Sequence, residues 1–299
     1  MRIGTRRSSL ALAQADLIAG LLGDCEIVPI VTSGDRGAAA EDKSRWVREL
    51  EQALGDGRID LAVHSAKDVP GELPKGLELL GAPSRAAAED VLCGVSDLDE
   101  LPRGARVGTS SLRRLAQLRA ARADLDVVPI RGNVDTRLRI LAEGEELQAI
   151  VLARAGLQRL ARESEAGASL DPERFVPAPG QGAIALEGRS GDARARLAVE
   201  AITDAQTLAC LLAERALASA LGASCHTPLG AQALSAAGGA LCVRAWVGMP
   251  DGSAWIADEL EGSTEQPELL GREVAARMRS AGAGELLRGA EEMARVAGR

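Results

Sequence analysis

Short strand-like runs alternate with helical patterns through about residue 200, and this alternation constrains the fold more than any other feature of the chain. The pattern predicts strands at residues 2–5, 26–31, 59–63, 107–109, 127–130, 149–152 and 183–186, and helices at residues 9–21, 44–54, 112–121, 134–142 and 156–161. Strands that alternate with helices are typical of α/β layers. We therefore expect an α/β fold over the first two thirds of the chain.

The last third of the sequence has a different pattern. A long amphipathic helix is predicted at residues 205–221, a hairpin at residues 240–247 and 254–260, and a further helix at residues 268–280. These elements indicate a small α+β domain at the C-terminal end. The length agrees with this division. A chain of 299 residues is too long for one ordinary hydrophobic core and suggests about two or three domains.

An internal similarity suggests that the α/β part contains two related units. Ile3-Gly4-Thr5-Arg6-Arg7-Ser8-Ser9-Leu10 resembles Val107-Gly108-Thr109-Ser110-Ser111-Leu112 with an offset of two residues. Each segment is typical of a strand, a Gly-Thr turn, a Ser cap and a helix start. Two such units would point two helix N-termini at a shared cleft, since ligands bind beyond the carboxyl ends of strands in open α/β sheets. Chance recurrence of a common Ser-capped turn is the alternative.

The composition excludes several classes of function. Hydrophobic residues make up 46% of the chain and charged residues 26%, as in soluble globular proteins. A net charge of −8, one Phe, three Trp and no Tyr argue against nucleic-acid binding by base stacking or by a generally basic surface. The five cysteines form no C-x-x-C pair, so no metal site is predicted. The sequence shows no signal-peptide layout and no apolar run of membrane length, which predicts a cytoplasmic protein without membrane contact.

Residues 103–139 hold nine arginines and three acidic residues in an otherwise acidic chain. Arg113 and Arg114 follow Ser111 in the first turn of a predicted helix, where each positive charge opposes the helix dipole by about 0.3–1 kcal/mol. A bound carboxylate or phosphate would offset this cost, because free backbone N–H groups and guanidinium groups both favour anions. This helix start is therefore a predicted anion site.

A second predicted anion site lies at the next helix start. Arg131 and Arg137 flank Gly132-Asn133, a pair that suits a turn or a helix cap. One such group of surface arginines is usually solvated. Two groups that each begin a helix after a strand are stronger evidence of anion binding. Together they predict a ligand that carries several carboxylates or phosphates.

A carboxylate follows the predicted strand at residues 59–63. Asp68 lies in Val63-His64-Ser65-Ala66-Lys67-Asp68-Val69-Pro70, at the end of the strand where α/β proteins place reactive groups. A carboxylate there is able to stabilise a developing cation or to transfer a proton. The alternative is a turn residue paired with Lys67. His64 ends the strand and is expected to be packed rather than catalytic.

Two loops in the second half of the chain contain candidate functional residues. Cys225 lies in Gly222-Ala223-Ser224-Cys225-His226-Thr227-Pro228-Leu229-Gly230, where a reachable thiolate would be a nucleophile and a buried thiol would be inert. Pro179-Gly180-Gln181-Gly182 is predicted to be a turn and a hinge between the cleft domains.

Taken in order, these segments resemble the porphobilinogen deaminase family of tetrapyrrole biosynthesis. The matching segments span nearly the whole chain with compatible spacings. They are Thr5-Arg6-Arg7-Ser8, Val63-His64-Ser65-Ala66-Lys67-Asp68-Val69-Pro70, Gly108-Thr109-Ser110-Ser111-Leu112-Arg113-Arg114, Arg131-Gly132-Asn133, Pro179-Gly180-Gln181-Gly182 and the Cys225 loop. One departure is the segment at residues 38–46, which keeps one lysine, Lys43, where the family commonly has two.

The resemblance implies a fold of two periplasmic-binding-protein-like lobes around a cleft and a small α+β C-terminal domain. The implied domains are residues 1–86 with 183–202, residues 87–182, and residues 203–299. It also implies a dipyrromethane cofactor joined by a thioether to Cys225. The substrate would be porphobilinogen, and the protein is expected to be a monomer with no nucleic-acid partner.

The resemblance further implies an activity and the residues that carry it out. The enzyme would condense four porphobilinogen molecules head to tail with release of ammonia, and would then hydrolyse the product as hydroxymethylbilane. Asp68 matches the catalytic aspartate, and Gln181 matches a hinge position near the cleft. Residues that match binding positions for the cofactor or substrate carboxylates are Arg6, Ser8, Lys43, Lys67, Ser111, Arg113, Arg114, Arg131, Arg137 and Arg159. A non-catalytic polycarboxylate-binding protein of the same architecture is the alternative.

Overall fold

A computed structural model of the chain describes residues 1–32, 44–144, 146–223 and 227–296. Two predicted site residues, Lys43 and Cys225, lie outside the described residues. In chain order the strands are β1 (Arg2–Arg6), β2 (Glu26–Ile30), β3 (Leu61–Ser65), β4 (Leu77–Gly81), β5 (Asp90–Cys93), β6 (Arg106–Gly108), β7 (Asp126–Val128), β8 (Ala149–Ala153), β9 (Ile184–Arg189), β10 (Leu229–Ser235), β11 (Ala240–Gly248) and β12 (Trp255–Ser263). The helices are α1 (Ser9–Leu22), α2 (Ser44–Gly55), α3 (Leu112–Ala121), α4 (Val134–Glu143), α5 (Arg154–Arg159), α6 (Ala193–Glu200), α7 (Ala205–Ala220), α8 (Pro267–Ser280) and α9 (Ala283–Val296).

The first sheet has the strand order β2-β1-β3-β9-β4. Strand β1 pairs in parallel with β2 and β3, whereas β9 pairs in antiparallel fashion with β3 and β4. Helices α1 and α6 bury Ile18 and Val199 on one face of the sheet, and α2 buries Leu50 and Leu54 on the other. Helices on both faces explain why the central strand β3 is buried at four of its five residues.

The second sheet has the strand order β5-β8-β6-β7. Strand β6 pairs in parallel with β7 and β8, and β5 is an antiparallel edge strand on β8. Helix α3 packs Leu115 and Leu118 on one face, while α4 and α5 pack Leu138 and Leu157 on the other. Both α/β sheets therefore place helices on both sides and leave their parallel carboxyl ends available for a ligand site.

The third sheet is an antiparallel meander of strands β10, β11 and β12. Helices α7 and α8 cover one face of this sheet through a core that includes Leu217, Val243 and Val274. Trp246 on β11 is 5% exposed and packs against Ala116 of α3, so the third sheet contacts the second unit directly.

The predicted fold class, two α/β units followed by a smaller α+β unit, is confirmed by these three sheets. The strand predicted at residues 59–63 lies at Leu61–Ser65 instead, because Ile59 is buried against α2 before the strand pairing begins. The helix predicted at residues 156–161 begins and ends two residues earlier, as Arg154–Arg159. The sequence pattern missed β4, β5, β10, α6 and α9.

Candidate active site

The turn that carries Asp68 follows strand β3 directly. A 3-10 turn spans Ala66–Asp68 and is closed by a hydrogen bond of 3.2 Å from the Val69 N–H to the Ala66 carbonyl. Because β3 runs parallel to β1, the carboxyl ends of both strands meet at one edge of the first sheet. Asp68 lies half-buried at this edge.

A small cavity of about 60 Å³ opens at the same edge. Its lining includes Arg6, Ser8, Gln14, His64, Ser65 and Asp68. The Ser8 hydroxyl also caps helix α1, because its Oγ accepts a hydrogen bond of 3.3 Å from the Ala11 N–H. The structure therefore brings three predicted site residues together, namely Arg6 at the end of β1, Ser8 at the start of α1, and Asp68.

Two residues of this cavity, Gln14 and Ser65, were not identified as site residues from the sequence. Gln14 is 2% exposed; its Nε2 donates a hydrogen bond of 2.9 Å to the Ser65 Oγ, and the Ser65 hydroxyl donates one of 3.2 Å to the Gln14 Oε1. The available signal was a polar amide on the otherwise apolar face of α1. His64 is buried with its Nε2 2.9 Å from a Glu187 carboxylate oxygen, as expected for a packed histidine.

Two arginines at the start of helix α3 are buried against a carboxylate. Ser111 caps the helix by accepting a hydrogen bond of 3.4 Å from the Arg114 N–H. The Arg113 Nη1 lies 2.8 Å from one Asp90 oxygen, and the Arg114 Nη2 lies 2.7 Å from the other. The helix start thus contacts an anion supplied by the chain itself, the first residue of β5. No sequence pattern had indicated Asp90.

The electrostatics of this ion pair favour charged side chains. Burial alone would raise the pKa of Asp90, but the two guanidinium groups outweigh burial and hold the pKa well below its usual range. Burial lowers the pKa of Arg113, and Asp90 opposes that shift. Arg113 and Arg114 also donate hydrogen bonds of 2.9 Å to the carbonyls of Val176 and Val151. The Arg113 Nε–H is buried and has no hydrogen-bond acceptor among the described residues.

Gln181 connects this ion pair with the 3-10 turn. Its side chain is 1% exposed, and its Nε2 donates hydrogen bonds of 2.8 Å to the Asp90 Oδ1 and 2.6 Å to the Ala88 carbonyl. Its Oε1 accepts a hydrogen bond of 3.5 Å from the Lys67 Nζ. Burial, together with the nearby charge of Arg114, lowers the pKa of Lys67 to about 8. The two α/β units therefore meet at one buried amide.

The second predicted anion site lies at the start of helix α4. Asn133 caps this helix by accepting a hydrogen bond of 2.9 Å from the Thr136 N–H, and Arg131 is exposed just before it. Burial and the charge of Arg114 lower the pKa of Arg137 to about 10. Arg137 and Arg114 therefore influence each other, so the two helix starts contribute to one positive region.

Arg159 lies at the end of helix α5 and contacts the residue that follows Gln181. Its Nη2 donates a hydrogen bond of 2.6 Å to the Gly182 carbonyl. Burial lowers the pKa of Arg159 to about 10. This guanidinium adds a half-buried positive charge next to the segment that joins the two α/β units.

Several cations of the described residues lie close to one another in this region. Arg114 lowers the pKa values of both Lys67 and Arg137, and Asp90 is the carboxylate in contact with Arg113 and Arg114. Like charges placed close together at low exposure repel one another, so such a region attracts anions. In the described parts of the chain, no group of three or more His, Cys, Asp or Glu side chains could hold a metal ion. The arrangement is suited to a ligand with several carboxylates.

The described residues on either side of the Cys225 loop are anchored. Helix α7 ends at Ala220, and the Ala223 N–H donates a hydrogen bond of 2.9 Å to the Ala218 carbonyl. Thr227 is 7% exposed, and its hydroxyl donates a hydrogen bond of 3.1 Å to a Glu291 carboxylate oxygen on α9. Ala223 and Thr227 are therefore each held by contacts within the third unit.

Two family models match the chain. The first, described as the dipyromethane cofactor binding domain of porphobilinogen deaminase, matches residues 1–197. The second, described as the C-terminal domain of porphobilinogen deaminase, matches residues 208–280. Together these matches extend over the two α/β units and most of the third unit.

Curated relatives match over almost the whole length. The porphobilinogen deaminase of Deinococcus deserti is 45% identical over 309 residues, which cover 97% of this chain and 98% of the relative. The porphobilinogen deaminase of Thermus thermophilus is 42% identical over 293 residues, which cover 95% of this chain and 97% of the relative. Among solved structures, the methionine-binding protein MetQ matches with a TM-score of 0.44 and 13% identity, covering 68% of this chain and 89% of its own.

Proposed function

The chain belongs to the porphobilinogen deaminase family, and from this we infer that it is a transferase of tetrapyrrole biosynthesis, hydroxymethylbilane synthase. The reaction joins four porphobilinogen molecules head to tail. Each addition breaks the bond between a side-chain carbon and the departing ammonia, forms a carbon–carbon bond to the next pyrrole, and releases the proton of the pyrrole carbon that is joined. Hydrolysis finally releases hydroxymethylbilane.

The observation that carries this function is the group of buried and half-buried cations around Arg114, which includes Arg113, Lys67 and Arg137. Each pyrrole unit of substrate carries two carboxylates, and the growing product is therefore a polyanion that needs several fixed donors. Arg114 lies close enough to Lys67 and to Arg137 to add to the lowering of the pKa that burial causes in both. The buried Arg113 Nε–H, which lacks an acceptor among the described residues, is a further donor that a ligand oxygen would satisfy.

A dipyrromethane cofactor fits these residues for the same reason. Its acetate and propionate groups match the positive region formed by Arg113, Arg114 and Arg137, and Cys225 would hold it by a thioether. When bound, the cofactor supplies the terminal pyrrole carbon to which the first substrate is joined. Lys67, Arg131 and Arg159, with Arg6, Ser8, Lys43 and Ser111, would bind the remaining carboxylates of the cofactor or substrate.

Asp68 is the proposed catalytic residue. Its carboxylate would accept hydrogen bonds from pyrrole N–H groups and stabilise the positive charge that develops on the substrate as the amine leaves. The proposal is supported by its place at the carboxyl end of β3, half-buried beside Lys67 and at the rim of the cavity that Arg6 and Ser8 line. Gln181 would hold the two α/β units at their hinge.

Intact-mass analysis tests the cofactor and its attachment together. The purified protein should be heavier than its sequence by one dipyrromethane, and Cys225→Ala should remove that excess. Cys242→Ala is the matched control, because Cys242 is a half-buried thiol on β11, and this variant should keep the added mass. An unmodified, folded wild-type protein from a haem-producing host would contradict the proposal.

Turnover assays test the role of Asp68. Asp68→Ala and Asp68→Asn should both lose hydroxymethylbilane formation, because neither side chain can stabilise the cation, while the cofactor mass remains. Near-normal product formation by both variants would refute the assignment. These assays also separate the enzyme from a non-catalytic polycarboxylate-binding protein, which would consume no porphobilinogen.

We further propose a cytoplasmic monomer with three domains, residues 1–86 with 183–202, residues 87–182, and residues 203–299. The return of β9 to the first sheet supports the discontinuous first domain. An acidic total charge supports the absence of a nucleic-acid partner. No helix in the described residues has the length and apolar character needed to cross a membrane. Light scattering of the purified protein tests the monomeric state.

A further inference from the structure

One stripe of helix α7 runs along the segment that carries Asp68. Leu211, Arg215 and Ser219 are spaced four residues apart, so they share one face of the helix. We refer to residues 66–71 as the Asp68 segment. Leu211 is fully buried in one apolar cluster with side chains of this segment. At the other end of the stripe, a Cβ added to Gly71 would lie 3.4 Å from the Ser219 Cβ, which is van der Waals distance, so Ser219 packs beside Gly71.

Arg215, in the middle of the stripe, binds the backbone of the Asp68 segment. Its Nη2 donates hydrogen bonds of 2.7 Å to the Pro70 carbonyl and 3.1 Å to the Gly71 carbonyl. Its Nη1 donates a longer bond of 3.5 Å to the Val69 carbonyl. A planar guanidinium with several N–H donors can bind successive carbonyls in this way, whereas a lysine ammonium cannot span them equally well.

The neighbouring Glu214 fixes a second segment of the same site. It is fully buried and accepts hydrogen bonds of 2.6 Å from the Gly180 N–H and 2.7 Å from the Ala233 N–H, and it pairs with Arg85 at 2.6 Å. Gly180 in turn packs on the Asp68 segment, where a Cβ would lie 2.9 Å from the Ala66 carbonyl carbon. Helix α7 therefore contacts the Asp68 segment directly through Arg215 and indirectly through Glu214.

The same helix leads towards the proposed cofactor-bearing loop. Ala220 is the last residue of α7, and Cys225 follows five positions later in the sequence. By contrast, the 3-10 turn that carries Asp68 is a single turn and has one internal hydrogen bond. Its position must therefore depend on contacts with other elements, and a shift of about 1 Å in a reacting group can cost about 100-fold in rate.

We propose that Arg215 is a positioning residue for Asp68, because it holds the carbonyls of residues 69–71 on helix α7 and so fixes the segment that carries the carboxylate. This inference rests on the proposed role of Asp68. Arg215 acts on the backbone and touches no reacting atom. Its loss is therefore expected to change the rate of chain extension and not the affinity for substrate carboxylates.

Arg215→Met tests the proposal, since it removes the guanidinium and keeps an apolar stem of similar length. The expected result is a kcat about 10- to 100-fold lower per cofactor-bearing molecule, with KM within about twofold of wild type and with the cofactor mass retained. Arg272→Met is the matched control, because Arg272 is exposed on α8, and it should leave kcat and KM unchanged. If Arg215→Met does not fold, Arg215→Lys replaces it and should show the same loss in kcat at unchanged KM.

A double-mutant cycle with Asp68→Glu distinguishes positioning from general stabilisation. If Arg215 acts through Asp68, the loss in the double variant should be smaller than the product of the two single losses. A normal kcat per cofactor-bearing molecule, or losses that multiply, would overturn the inference. Should Arg215→Met be fully active while Asp68→Asn is inactive, the inference fails and the proposed function stands. Should Asp68→Asn itself be active, the proposed function fails.

Discussion

Replacing Asp90 by Asn should destabilise the protein strongly. The Asp90 side chain is 1% exposed, and its two oxygens contact Arg113 and Arg114, which are 4% and 8% exposed. Asn keeps the shape but removes the charge, so two guanidinium groups remain buried without their shared counter-ion. Breaking a buried ion pair in this way costs about 3–5 kcal/mol. The amide NH₂ would also face a guanidinium donor, which adds an unsatisfied polar contact.

The stability difference between the wild type and Asp90→Asn should depend on pH. The native-state pKa of Asp90 is depressed, so its contribution to the free energy of unfolding is present above the unfolded value of about 3.9 and is lost as pH falls through the native value. Near neutral pH the wild type therefore has the full contribution, and Asp90→Asn lacks it at every pH. The difference in unfolding free energy between the two proteins should shrink as the solution becomes more acidic.

Urea denaturation at neutral pH and at lower pH measures this difference. The comparison is best made in the Cys225→Ala background, because cofactor carboxylates bound to the same arginines would compensate for the lost charge. Asp126→Asn is the control, since Asp126 forms an exposed ion pair with Arg106 and should change the free energy of unfolding by less than about 1 kcal/mol. A loss below about 1 kcal/mol for Asp90→Asn would refute the view that this carboxylate neutralises the buried arginines.

Three further predictions concern residues at or near the site. Because burial lowers the pKa of Lys67 to about 8, the ammonium loses its charge as pH rises through that value, and kcat/KM should fall there in wild type but not in Lys67→Arg. Gly180→Ala should lower the thermal midpoint more than Gly57→Ala, because both glycines have positive φ but only at residue 180 would a Cβ lie within 3 Å of another backbone atom. Arg139→Ala, at an exposed ion pair in the arginine-rich stretch, should change the urea unfolding free energy by less than about 0.5 kcal/mol and leave turnover unchanged.

The elements that the sequence predicted share a clear local signature. Helix α3 has a Ser cap and a strong apolar stripe, and strand β8 is a continuous apolar run, so both were predicted close to their observed limits. The missed strands lack such a signature. β5 has four residues and begins with a charged residue, Asp90, while β10 contains Gly230 and the polar Gln232. Their pairing with distant strands, and not their local pattern, makes them strands.

The site was predictable to the extent that its residues lie at the ends of predicted strands and starts of predicted helices. Arg113 and Arg114 indicated an anion at the start of α3, and the end of β3 indicated Asp68. The identity of the contacting anion could not be predicted, because Asp90 comes from an edge strand more than 20 residues away. The roles of Gln181 and Arg215 depend on contacts across still greater sequence distances, which no local pattern records.

The position of β9 in the first sheet has a consequence for biosynthesis. β9 lies between β3 and β4, and in the described part of the chain β4 pairs with β9 alone. Strand β3 therefore cannot pair with β9 until residues near 187 have been synthesised. By then the ribosome has made every strand of the second sheet. Closing such a long loop is entropically costly, which makes this step slow relative to the second unit. Until then the nascent chain exposes the edge of β3 that later pairs with β9, and an unpaired strand edge can pair with another chain.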